Sequence, residues 1–572
     1  MRLVFLTFAA PLVLLAACAT APVEPGSGAT ARAPSDDPVG HSAYGLFLAG
    51  EGAMNDGRNR EAGLYFDRAG ADERDSPLLH ERAFTAAILA GEVQKAAALL
   101  PLGEEASEGA TRLGGLVIAV EAIEQGKGKV ARDQLQGQAA GFPHRSAAAL
   151  LAPWAAALAG DVDGSLVRPT VRGDRYVDYF GQLGQAHLFE RAKRYDEAET
   201  DFKALTSGDS PSEMVVAAYG AFLERRNRRP DAIALYDKAL ANSPNSLGLA
   251  AAKARATTGK PAPPQPTIRQ GAAQALLSPA ATLVSAKQEQ LALAYLRLVL
   301  YLDPQRDDAW LMLGDVMTLM GDIDAARAAF AQPKPTSPDY IAARAKLAWT
   351  YQNDKDPENA MRVARETAAG GHPFARLTLA DLLRANEKFE ESAQILSQLI
   401  DQTKSPDWRL YYARGVDYER LNRWPEAERD LEAALKLEAD EPELLNYLGY
   451  SWIDRGLRLK EALGLVEKAV AANPKSGAMT DSLGWAYYRL GDYKKAVELL
   501  ETAVELEAGE PEINDHLGDA YWRVGRRNEA QFQWRRVLTL DPPEKIKVQA
   551  DAKLKAGLGP AGPAAAPKVA GQ

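Results

Sequence analysis

Glycine returns in this chain at intervals of 34, 35 and 34 residues, at Gly415, Gly449, Gly484 and Gly518. The same residue types then fall at the same offsets. An aromatic follows three positions on (Tyr418, Trp452, Tyr487, Tyr521), and an alanine about twelve on (Ala427, Ala462, Ala496, Ala530). A bulky residue stands four later (Leu431, Val466, Leu500, Trp534), and a small or β-branched one three beyond that (Ala434, Ala469, Ala503, Val537). A period of this length excludes one globular core. Each period is a supersecondary unit that cannot bury its own apolar face, so the units must stack. Bulky positions at i, i+3 and i+4 make each half of a unit an amphipathic helix. Glycine and alanine let two antiparallel helices approach closely, and Pro474 and Pro542 stop the second helix because proline cannot continue the hydrogen-bond ladder.

This pattern resembles the tetratricopeptide repeat (TPR), which implies an all-α fold, an α-solenoid of antiparallel helix pairs. The frame continues upstream through Ala309, Trp310, Gly314, Met317, Ala326 and Phe330, and through Gly220, Leu223, Ala232, Tyr236, Ala239 and Pro244. It reaches Gly50, Gly57, Ala62, Phe66 and Ala69, and is degenerate between about 110 and 175. Roughly a dozen repeats are expected over about 43–545. The proline-rich stretch 257–270 reads as a junction between two solenoid halves, 43–256 and 271–545. The Gly-Pro-Ala-rich end, 557–572, reads as a disordered tail.

Residues 1–17 read as a secretory signal: Arg2 supplies the positive charge, and Leu3 to Leu15 form an apolar run too short to span a bilayer. The order Leu15-Ala16-Ala17-Cys18 resembles the bacterial lipobox, which implies that Cys18 is acylated and becomes the amino terminus after cleavage. Several acyl chains would make that anchor durable. Ala19 after the cysteine, in place of aspartate, implies outer-membrane retention under the lipoprotein rule. Residues 18–42 then read as a flexible tether rich in Pro, Gly, Ala, Thr and Ser.

The rest of the composition is mainly exclusive. A formal net charge of −10 argues against nucleic acid as a partner, because phosphate binding needs clustered cations. The single cysteine rules out an internal disulfide and Cys-based zinc clusters, and the six histidines are scattered. No catalytic residues, metal ligands or cofactor site are expected, and the chain reads as a non-enzyme. His516 beside Asp515 has no nucleophile nearby in sequence and reads as structural. Gly126-Lys127-Gly128-Lys129 fits an inter-helix turn better than a phosphate loop. Arg225-Arg226-Asn227-Arg228-Arg229 reads as a solvated turn, with lipid headgroups as a minor alternative.

In a TPR solenoid the first helix of each hairpin lines the concave face. Carried onto the carboxyl-terminal units, this puts Asn446 and Tyr450, then Asp481, Trp485 and Tyr488, then Asp515, Asp519 and Trp522 along one groove. Rings supply contact area there, and carboxylates accept N–H groups of an extended peptide or pair with its cations. The other reading is that Trp485 and Trp522 pack against the adjoining repeat. Only Asn446 resembles the chaperone-type carboxylate clamp, so that function is not assigned.

The phrases Gly449-Tyr450-Ser451-Trp452-Ile453-Asp454, Asp481-Ser482-Leu483-Gly484-Trp485 and Asn514-Asp515-His516-Leu517-Gly518-Asp519 are similar to those of long proteobacterial TPR lipoproteins. Some members of that group are outer-membrane adaptors that bind a periplasmic C-terminal processing protease and present cell-wall hydrolases to it. The resemblance implies a membrane-anchored scaffold facing the periplasm. A structural assembly factor for an envelope machine, in secretion, outer-membrane protein insertion or polysaccharide export, is the alternative.

Overall fold

The structure is a computed structural model that describes residues 42–559 apart from 73–75, 101–105, 138–140, 209 and 244–245. The proposed signal, Cys18 and nearly all of the tether lie outside the described residues, as does the tail from 560 on. Among the described residues the chain forms α-helices and no β-strand, as the periodicity requires. Consecutive helices pair as antiparallel hairpins: Pro442–Arg455 with Leu459–Ala472, Gly477–Leu490 with Tyr493–Leu506, and Pro511–Arg523 with Arg527–Val537.

The repeat glycines sit where helices touch. A Cβ built on Gly484 would lie 2.7 Å from Leu500 Cγ, and one on Gly518 would lie 2.5 Å from Trp534 Nε1. The alanines on the facing helix are fully buried at Ala496 and Ala530, and so are the bulky partners Leu500 and Trp534. Glycine and large side chain are thus two halves of one contact. The degenerate stretch is helical too, in Glu108–Glu124, Gly128–Gln136 and Arg145–Leu158. Its Gly128 abuts backbone, since a Cβ there would lie 2.3 Å from Ala159 N. That glycine therefore serves packing, in keeping with a turn and not a phosphate loop.

The described residues form two compact units, which divide at Arg376. The proline-rich stretch 257–270 consequently lies inside the first unit rather than at the division. Within that unit, helices Ile268–Ser285 and Glu289–Leu302 do not simply extend the preceding hairpins. They return to pack on Pro77–Ala90, Glu108–Glu124 and Arg145–Leu158. His144 Nδ1 lies 2.8 Å from Tyr295 Oη, Arg297 Nε donates to the Leu89 carbonyl at 3.2 Å, and Arg269 Nη2 donates to the Glu124 carbonyl at 2.9 Å. Gly271 makes room for Trp154, whose ring carbon Cη2 would lie 2.1 Å from an added Cβ.

The crossing that permits this return is held by the arginine run. Arg229, Arg225 and Arg191 donate to the carbonyls of Lys260 (3.3 Å), Pro263 (3.0 Å) and Pro266 (2.7 Å). Acceptors three residues apart match the three-residue turn of polyproline II, so one edge of the strap faces the arginines. Arg225 also grips the nearly buried Glu190 through two bonds of 2.7 Å, Arg226 lies 3.7 Å above the Tyr195 ring, and Arg228 bonds Glu199 and Asp231. The solvated-turn reading is corrected: every arginine of 225–229 is engaged within the fold.

Candidate functional site

Three helices of the second unit carry the positions expected to line a groove, Pro442–Arg455, Gly477–Leu490 and Pro511–Arg523, and the last helix, Glu544–Ala556, packs beside the third. The carboxylates expected to line an open wall are buried instead. Asp481, Asp515 and Asp519 are 5%, 6% and 6% exposed, and each is used between repeats. Asp481 faces His516 Nδ1 at 3.0 Å from both of its oxygens. Lys553, on the last helix, reaches Asp515 Oδ2 at 2.5 Å and Asp519 Oδ1 at 2.7 Å. Asp519 also accepts from Trp534 Nε1 at 3.0 Å. The reason is geometric: first helices of successive repeats lie side by side, so a short side chain at these positions meets the next helix before it meets solvent.

Burial and charge set the protonation of this seam. Burial opposes the charge on His516, but the Asp481 carboxylate, with Glu512 and Asp515 beyond it, outweighs this and pushes the imidazole up to about 9. Burial likewise raises the Asp481 and Asp519 carboxyls, against the pull of His516 and of Lys553. At neutral pH His516 is therefore an imidazolium facing Asp481, and, against its burial, the neighbouring Asp519 and Asp515 raise the Lys553 ammonium.

The aromatic residues are half-buried. Trp485 is stacked between Tyr488 and His516, with centroids 4.4 and 4.0 Å away and planes inclined by 8° and 11°. Tyr488 Oη accepts from Arg523 Nε at 3.1 Å, and Tyr450 donates to Glu512 Oε1 at 2.7 Å. That last bond joins the first and third of the concave helices. Trp522 packs at 5.3 Å from Trp534, carries the Arg527 guanidinium 3.7 Å above its ring, and donates to the Leu558 carbonyl at 3.1 Å. The start of the expected tail, Leu558 and Gly559, is thus docked on the last repeat. Trp522 is mainly a packing residue. Trp485 Nε1 and Asn446 Oδ1 differ: both are buried atoms without a hydrogen-bond partner. Neither of these atoms is open to solvent, so the surface available to a partner here is that of the half-buried rings of Tyr450, Trp485 and Tyr488.

Lys553 and the Leu558 carbonyl lie beyond the repeat frame, and Glu512, though on Pro511–Arg523 itself, meets Tyr450 from two repeats away, so no local spacing points to any of them. The recurrent carboxylates at 481, 515 and 519 were the signal that a buried cation would be needed.

The repeats are also recognised by comparison. Residues 183–246 and 412–477 match a family model described as tetratricopeptide repeat, residues 283–350 match a second of that description, and residues 484–525 match one described as TPR repeat. The chain carries tetratricopeptide repeats. The TPR repeat-containing protein PA4667 of Pseudomonas aeruginosa is 36% identical over 112 residues, 20% of this chain and 19% of that protein. Among solved structures, a chain of the APC/C hetero-tetramer Cut9-Hcn1 is 15% identical with a TM-score of 0.38, over 90% of this chain and 96% of that one. A TPR protein from Parabacteroides merdae is 13% identical with a TM-score of 0.37, over 44% and 97%. MamA RS-1 is 24% identical with a TM-score of 0.25, over 28% and 94%. TPR units bind protein partners in general, and the 412–477 and 484–525 matches contain all of the concave residues named above except Asp481.

Proposed function

We propose that this chain is a lipid-anchored TPR scaffold facing the periplasm, which captures an extended segment of a protein partner along Asn446, Tyr450, Trp485 and Tyr488. The observation that carries this reading is the stack of Trp485 on Tyr488, centroids 4.4 Å apart, with both rings partly open to solvent as Tyr450 is. Stacked aromatic rings give an extended segment contact area at little cost in side-chain order. Anchoring at the outer membrane rests on Leu15-Ala16-Ala17-Cys18 and Ala19. The partner favoured by the lipoprotein resemblance is a C-terminal processing protease together with its cell-wall hydrolase substrates.

The test is capture from detergent-solubilised membranes by the full chain, with partners identified by mass spectrometry. Wild type should retain a processing protease, and Trp485→Ala with Asn446→Ala should release it while the helical signal is kept. Retention of secretion, insertion or polysaccharide-export components in its place would favour an assembly factor. Undiminished capture by the double variant would move the site away from these residues.

A further inference from the structure

In the first unit a cavity of about 480 Å³ opens between the turn at Gly57–Glu61, the end of the helix Pro77–Ala90, Arg297 and the hairpin of Asp307–Leu319 with Ile323–Phe330. That volume lies in the range of small-molecule sites. Its floor and rim are apolar: Leu64, Leu89, Ala90, Met317 and Ala325. Arg297 lies in its wall. The Arg297 Nε donates to the Leu89 carbonyl at 3.2 Å, and among the described residues no carboxylate pairs with the guanidinium. Burial lowers its pKa to about 10, with Asp322 opposing and Arg60 adding, so it remains charged at neutral pH. Asn59 lines the same cavity. It is 6% exposed and its Oδ1 has no partner. The other end of the carboxamide is the Nδ2 amide, which carries two N–H donors.

We infer that this cavity is a binding site for an amphipathic monocarboxylate, with the carboxylate on Arg297 and Asn59 and the apolar tail over Leu64, Met317 and Ala325. A guanidinium fork with an adjacent amide N–H matches a planar carboxylate. A doubly charged phosphate fits poorly, because the nearby cations are spent: Arg58 on Asp56 and Glu61, Arg60 on Glu92. Asp322 and Glu61 on the same wall also repel a second negative charge. The bland role of Arg297 is to cap the carboxyl end of the helix Pro77–Ala90, but that uses Nε alone and leaves the Asn59 carboxamide unexplained.

The experiment is calorimetric titration of the full chain with octanoate, acetate and inorganic phosphate. Octanoate should bind saturably, acetate and phosphate far more weakly. Arg297→Gln should weaken octanoate binding by about tenfold or more, the scale of a lost charge-assisted hydrogen bond. Leu64→Glu, at a side chain 54% exposed and so harmless to folding, should weaken it similarly by placing a carboxylate on the rim. This second variant carries the test if Arg297→Gln fails to fold. Absence of octanoate binding, equal binding by wild type and Leu64→Glu, or phosphate binding as tight as octanoate would overturn the inference.

Discussion

Replacing Lys553 by methionine keeps the apolar stem and deletes the charge, so the perturbation falls on the two carboxylates that the ammonium joins. Only 15% of the lysine side chain and 9% of each aspartate side chain are exposed. Stranding one partner of a buried pair costs about 3–5 kcal/mol. The lower end applies here, because Trp534 Nε1 still donates to Asp519. Repeat arrays open locally, so the loss appears in the opening of the helices Pro511–Arg523 and Glu544–Ala556. About 3 kcal/mol corresponds to about 150-fold in the opening constant. Hydrogen exchange read by mass spectrometry at pH 7 should show protection factors in those two helices falling by that order, and none falling in Glu289–Leu302. The pH dependence identifies the cause. Burial raises the Asp519 carboxyl, so in the variant the folded state holds its proton more tightly than the unfolded chain does. The deficit is then full above the folded-state pKa and shrinks as pH falls toward about 4. Unchanged protection in both helices would refute the reasoning, and a deficit equal at pH 4.5 and pH 7.5 would show that charge is not its source.

Three further outcomes are expected. The His516 pKa is raised from 6.5 to about 9, so its contribution is full below pH 6.5 and lost as pH rises through 9; the urea midpoint of the second unit should fall across that window, and His516→Phe should flatten the fall. Asp417 is fully buried with Arg384 Nε 3.5 Å from its Oδ1, and burial, outweighing Ser392 and Arg384, pushes its carboxyl from 3.8 up to about 7; Asp417→Asn should raise the urea midpoint at pH 8 and change it little at pH 4. Gly484→Leu should cost about 1–3 kcal/mol by driving a side chain into Leu500, read as a lower urea midpoint with unchanged slope.

The fold class was legible because one period is written into the chain several times over. The offsets of Gly484, Ala496 and Leu500 predict a single contact, and the structure makes it. The return of Ile268–Ser285 onto Arg145–Leu158 was not legible. It rests on a fit between remote surfaces, Gly271 against Trp154 and Tyr295 against His144, which leaves no local period. The proline-rich stretch is plain in the composition, but composition alone does not say whether such a strap separates two bodies or crosses one. The arginine carbonyl contacts decide that. At the candidate site, register put these residues on one face of the first helices and read that face as an open groove, whereas Asp481, Asp515 and Asp519 are buried against the next helix. It could not say which of them meet a cation first, because Lys553 lies beyond the last repeated segment.

Photo-crosslinking from position 450 in intact cells tests the central claim most directly. A photoreactive residue in place of Tyr450 stands on the first of the helices proposed to hold the partner, and one in place of Phe532, 60% exposed on a second helix, serves as the reference. The account predicts an adduct with a periplasmic protein from position 450 that Trp485→Ala abolishes, and none from position 532. Adducts from position 532 with none from position 450 would contradict it.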